Sequence, residues 1–102
     1  MSNIDRETIK DVIFSAAKSF NTTQDPNSQI VLDEATVLIG QGAAIDSMGL
    51  VSLLIEIEQQ LQEKLQLSVN FTSEKAMAAR VSPFRRIRTV IEFICDKLPD
   101  LL

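Results

Sequence analysis

One stretch limits the possible folds of this chain more than any other. Between Ile45 and Leu61, the side chains of Leu50, Leu54, Ile57 and Leu61 recur at helical spacing, and Leu65 continues the row. At about 100° per residue they fall on one stripe, with Val51 and Leu53 at its flanks. A helix of this kind must bury its stripe against another element, which predicts a helix over residues 47–64 that forms the centre of a core. Gly40 and Gly42 keep the preceding backbone out of a helix, and Asp46 and Ser47 are residue types whose side-chain oxygens cap helix starts.

Met48 and Ile55 lie a heptad apart and well off the stripe, beside Ser52, Gln59 and Gln62. Two readings fit that placement: a docking surface just past a capping serine, or apolar side chains packed under a loop. Ser47 itself sits where first-turn N–H groups lack intrahelical acceptors and the helix dipole is positive. A negative group attached to that serine would be stabilised there, as phosphates are at other helix N-termini.

Other segments supply the partners for the stripe. Residues 4–20 predict a first helix, with Ile9, Val12, Ile13, Ala16 and Phe20 on its inner face, Asp5 and Glu7 near its start and Lys18 near its end. Residues 21–46 form a long connection anchored by Ile30-Val31-Leu32 and Val37-Leu38-Ile39; a link of this length tends to be functional. A short helical turn is expected around Leu32–Leu38, and no sheet is expected, since Ile30–Leu32 has no partner strand. After an extended piece from Gln66 to Phe71, a short helix is expected over residues 74–80, with Ala76, Met77 and Ala79 inward. Ser82 is expected to cap the last helix, with Pro83 at a tolerated first-turn position, Ile87, Val90, Ile91, Ile94 and Leu98 as its stripe, and Pro99 beyond its end. The fold class is therefore all-α, four helices in a single domain over residues 1–102, with a long loop between helices 1 and 2 and a short third helix.

Composition narrows the function. There is no His, Trp or Tyr, which removes imidazole catalysis, Ser–His and Cys–His pairs and the usual zinc ligand sets. No metal site and no enzyme are expected. Charge is sorted: residues 19–63 hold seven acids and no Lys or Arg, the first 18 residues are balanced, the last 39 are basic, and the total is −4. An acidic middle suits basic protein surfaces and disfavours nucleic acid. The arginines at 80, 85, 86 and 88 are expected to be solvated surface pairing with the acidic segment. No apolar run reaches the ~20 residues of a membrane span, the N-terminus lacks the apolar stretch of a signal peptide, and the single Cys95 cannot form an internal disulfide. A cytoplasmic monomer is expected, with Cys95 a small buried apolar group.

The Asp46-Ser47-Met48 triplet, the Gly-Ala-Ala-Ile before it and the Gly-Leu-Val-Ser-Leu-Leu-Ile-Glu-Ile-Glu after it resemble the attachment motif of acyl carrier proteins. That family carries Asp-Ser-Leu at the start of its second helix. The ending Arg88-Thr89-Val90-Ile91-Glu92-Phe93-Ile94 resembles the family's last helix, and the likeness covers nearly the whole chain in helix order and spacing. The resemblance implies a four-helix carrier bundle in which a phosphopantetheinyl transferase moves 4′-phosphopantetheine from coenzyme A onto Ser47. Asp46 would assist by placing a carboxylate near the transferase's metal. Acyl-activating or acyl-transferring enzymes with basic docking surfaces would then bind Met48, Ile55 and Glu58, while Glu56 falls off the expected face.

This chain departs from the best-known fatty-acid carriers. It has Gly49, Ser52 and Gln59 where docking charge would be expected, and it inserts residues 77–83 before the last helix. Both features point to a specialised carrier, of an acyl or an aminoacyl group. The competing class is a non-carrier helical interaction module, with Ser47 as a plain cap or a phosphorylation site.

Overall fold

The computed structural model describes residues 4–71 and 84–101, with Ser47 and residues 99–101 described in their backbone alone. Three α-helices account for most of them: α1 (Arg6–Asn21), α2 (Ser47–Leu65) and α3 (Ile87–Leu101). No strand occurs among the described residues. The short helix expected over residues 74–80 lies outside them, as do Ser82 and Pro83.

The first helix starts where its cap is. Asp5 is extended, and its Oδ1 accepts from the Thr8 N–H at 2.9 Å and the Thr8 hydroxyl at 2.8 Å, satisfying one donor of an uncovered first turn. The inner face buries Ile9, Val12, Ile13, Ala16, Ala17 and Phe20. It packs against both α2 and α3, so α1 is the shared wall of the core. On α2 the buried set is Leu53, Leu54, Ile57 and Leu61, while Leu50 and Leu65 are half-buried. The stripe is thus rotated from its expected centre: Leu53 is a core residue and Val51 an exposed one.

Helix α2 ends on Gln66 in the left-handed conformation (φ +57°). The Gln66 N–H donates to the Gln62 carbonyl, and the next N–H, of Leu67, donates to Leu61, an arrangement that satisfies late carbonyls and turns the chain back. Leu67 and Phe71 are consequently buried. Phe71 meets Phe84 edge-on at 5.6 Å between centroids and Phe93 at 5.9 Å, a favourable geometry for aromatic rings.

The last helix begins at Ile87, later than the Ser82 cap predicts. A tertiary constraint overrides the local signal. Val37 and Arg86 form an isolated antiparallel bridge, the Leu38 N–H donates to the Arg85 carbonyl at 2.7 Å, and the N–H groups of Ile87 and Arg88 donate to the carbonyls of Thr36 and Glu34. Thr89 Oγ1 accepts from the Arg86 N–H at 3.1 Å, the reach-back half of a capping box. The same helix runs through Pro99 to Leu101 instead of stopping before it. A proline there forfeits only the bond its N–H would make to the residue four back, one turn from the end of the ladder.

The long connection is held at few points. Asn21 grips Ile30 twice, Nδ2 donating to its carbonyl at 2.8 Å and Oδ1 accepting from its N–H at 2.7 Å. Of the two expected anchors only Ile30 and Leu38 are buried; Val31, Leu32 and Ile39 are exposed. The expected helical turn near Leu32–Leu38 is a hydrogen-bonded turn closed by Thr36 N–H to the Asp33 carbonyl, and the connection's one helical piece is the 3₁₀ turn Pro26–Ser28, where Pro26 presets the first helical φ.

Acidic and basic segments pair differently from expectation. Glu34 bonds to Arg6 in bidentate fashion and to Lys10 at 3.6 Å, both on α1. Arg85 and Arg88 make no ion pair among the described residues. The Arg6 hydrogen bond holds the Glu34 carboxyl below its usual range, and the Thr8 backbone hydrogen bond does the same for Asp5. Groups with depressed folded-state pKa values contribute stability above their unfolded values, near 4, and lose it as pH falls through the folded ones. The urea midpoint should therefore drop between pH 5 and pH 3, and drop less in Glu34→Gln. An identical acid loss in the variant would show that the pair contributes nothing.

Candidate functional site

The candidate site is the start of α2. The connection reaches it through Gly40 (φ +88°) and Gly42 (φ +90°), backbone that only glycine adopts without strain, with the Ala43 N–H donating back to the Gly40 carbonyl. Asp46 is then extended (φ −91°, ψ −173°), and its Oδ1 accepts from the Gly49 N–H at 2.8 Å. Of the two capping candidates in the sequence, Asp46 is therefore the cap and Ser47 the first helical residue. The Leu50 N–H closes the first intrahelical bond, to the Asp46 carbonyl at 2.9 Å.

Gly49 is needed for this closeness. A Cβ there would stand 3.1 Å from Ile45 Cβ and 3.3 Å from Asp46 Oδ1, so a side chain would push the cap away from its donor. Helix geometry leaves the N–H groups of Ser47 and Met48 without intrahelical acceptors, at the positive end of a helix of 19 residues.

Asp46 lies between two clefts. One, of about 260 Å³, is bounded by Gln24, Ser28, Ala44 and Gly49. The other, of about 390 Å³, is apolar, bounded by Leu38, Ile39, Ile45, Leu50 and Val51. Both are formed by the connection lying against the first turns of α2.

Past the cap, the outer face of α2 carries apolar side chains in solvent. Met48 is 79% exposed and Ile55 43%, so neither packs under a loop. Val51, at 39%, joins them from the flank. The sequence signal for Val51 was its position, only about 60° around the helix from Met48, which outweighs its apolar character. Ile39, also exposed, borders the same region from the connection.

Glu58 is placed differently from a free docking charge. It is half-buried, and its Oε1 accepts from the Phe71 N–H at 2.6 Å, fixing the chain where it turns back into the core. Glu56 Oε1 accepts from Gln60 Nε2 at 3.0 Å. Among the described residues no group of His, Cys, Asp and Glu is arranged to hold a metal ion, and no helix is long and apolar enough to cross a membrane. Cys95 is half-buried beside the core, and burial pushes its thiol up, away from reactive thiolate.

A phosphodiester fits this helix start on the chemistry of its donors, with two first-turn N–H groups unpaired within the helix and open clefts on both sides of Asp46. Comparison with protein-family models, with curated proteins and with solved structures finds no match for this chain.

Proposed function

We propose that this chain is a specialised acyl carrier, bearing 4′-phosphopantetheine on Ser47. The observation that carries the reading is the division of labour at the α2 start: Asp46 caps the helix, so Ser47 stands at the first helical position without being needed as the cap. The arm supplies a terminal thiol that holds an acyl or aminoacyl group as a thioester. The chain's own part is to fix the attachment point on a rigid helix, to stabilise the phosphodiester charge with the first-turn N–H groups and to present a recognisable face. Asp46 keeps a carboxylate next to the serine, where a transferase's metal would use it.

The partners in this reading are a cytoplasmic phosphopantetheinyl transferase and enzymes that load or unload the thiol. The reading also carries the four-helix count of the carrier bundle, its third member being the short helix the sequence predicts over residues 74–80. Met48, Val51 and Ile55 would form the apolar centre of the docking face, with Glu58 less available to a partner because it is half-buried and one of its oxygens is bonded to the Phe71 N–H.

The test is the intact mass after incubation with coenzyme A and a broad-specificity transferase. The expected result is the gain of one phosphopantetheine. A chain that stays unmodified with any competent transferase overturns the reading and leaves a helical adaptor using the same exposed face.

That face gives a second expected outcome. Ile55→Ala should weaken enzymatic loading of the thiol by roughly 5- to 30-fold, in keeping with the truncation of an interface anchor. The melting curve should barely move, since exposed positions usually contribute within ~0.5 kcal/mol. Unfolding of the variant would assign Ile55 to the core instead.

A further inference from the structure

We infer that the cleft at the start of α3 receives a negatively charged end of the cargo, so that this carrier is suited to acyl groups ending in a carboxylate. The inference rests on the carrier reading. The cleft, of about 440 Å³, lies between the connection and the α3 start and is lined by Val37, Ile39, Gly40, Arg85, Arg86 and Thr89, together with Gln41. No carboxylate is among the described residues that line it.

Three observations point to an anion there. Arg85 and Arg86 both line the cleft at the N-terminal end of a helix, where cations are disfavoured by the dipole. Glu34, whose carbonyl accepts from the Arg88 N–H, has its carboxylate engaged with Arg6 and Lys10 on α1. Arg86 donates to the Ala35 carbonyl at 2.8 Å, but the Arg85 guanidinium is exposed and has no hydrogen-bond partner among the described residues. The N–H groups of Ile87 and Arg88 are already bonded to the connection's carbonyls, so an anion would be held by guanidinium charge and not by the helix end.

The path from Ser47 leads to this cleft. Ile39 and Gly40 line both it and the apolar cleft beside Asp46. An extended chain leaving the α2 start can follow apolar walls past Ile39 and arrive at Arg85. Asp46, on the first cleft, repels a carboxylate held next to it and favours one held farther on.

The test uses a transferase and two coenzyme A thioesters, succinyl and butyryl, the first labelled with ¹³C at its free carboxylate. In each reaction the Ser47 Oγ–phosphorus bond forms, the pyrophosphate bond of the coenzyme breaks, and 3′,5′-ADP leaves. Intact mass reports loading. On the loaded protein the succinyl carboxylate should titrate about half a unit below succinyl-pantetheine in solution, the direction a neighbouring cation imposes. The Gly40 amide resonance should shift with succinyl and not with butyryl. Arg85→Gln should remove most of both effects and Arg85→Lys should retain them. Arg88→Gln, whose side chain lines a different cleft, should leave them in place. A loaded succinyl group that titrates as it does free, or equal losses in Arg85→Gln and Arg88→Gln, overturns the inference while the carrier reading stands. Failure to load either thioester overturns the carrier reading, and this inference with it.

Discussion

Ser47→Ala is expected to abolish pantetheinylation and leave the fold intact. The arm needs a hydroxyl where an added negative charge is tolerated, and the α2 start supplies N–H groups worth ~0.3–1 kcal/mol to such a charge at surface exposure. Because Asp46 supplies the cap, losing the Ser47 hydroxyl costs the helix little, and alanine has no intrinsic penalty against helix. Ser52 is the nearest rival hydroxyl. It lies inside α2, where the backbone donors are already bonded within the helix. Mass spectrometry of wild type, Ser47→Ala and Ser52→Ala after the transferase reaction separates them: Ser52→Ala should gain the arm as wild type does. A Ser47→Ala protein that still gains it would end the assignment.

Leu54→Ala carries the largest expected effect on stability. Leu54 is fully buried on the face of α2 that meets the core, and truncation removes transfer free energy and leaves a cavity, about 2–5 kcal/mol together. For a domain of this size roughly 5–15 kcal/mol is the whole stability, so the melting temperature should fall by ~10–30 °C. Its neighbour Ile55, about 100° around the helix, is exposed, and its truncation should act on partner recognition instead. The pair tests the orientation of α2: two adjacent apolar residues, one of which unfolds the protein when cut back. Near-unchanged thermal stability of Leu54→Ala would mean the helix is turned differently.

Features written in local pattern were legible in the sequence. The extent of α2 and the inner face of α1 follow from helical period and capping chemistry over a few residues, whereas the same pattern puts Met48 and Ile55 off the stripe and leaves open whether a loop covers them, which their exposure decides. Features set by distant chain were not. Ser82 and Pro83 are a strong local start signal, yet α3 begins at Ile87 because the carbonyls of Glu34 and Thr36 are there to receive its first amides. Glu58 reads as docking charge until the chain returns and places the Phe71 N–H on it. Pattern places Val51 and Leu53 alike at the flanks of the stripe, and only tertiary packing decides that Leu53 is the one covered. The clefts around Asp46 and Arg85 combine segments from the connection, α2 and α3, and no window of sequence contains all three.

The hydrogen bonds between the connection and α3 also order the assembly of the chain. Helices α1 and α2 are nucleated by their own residues, but the first turn of α3 finds its acceptors about fifty residues upstream. Loop closure must come before those bonds can form, and contacts of such separation slow folding. The first turn of the last helix and the placement of the connection are thus coupled through these bonds. Ile39 and Gly40, which wall two of the clefts, directly follow Leu38, whose N–H is bonded to the Arg85 carbonyl. Damage to the last helix would therefore release the connection and, at the same time, strip from the core the part that Ile87, Val90, Ile91 and Ile94 fill.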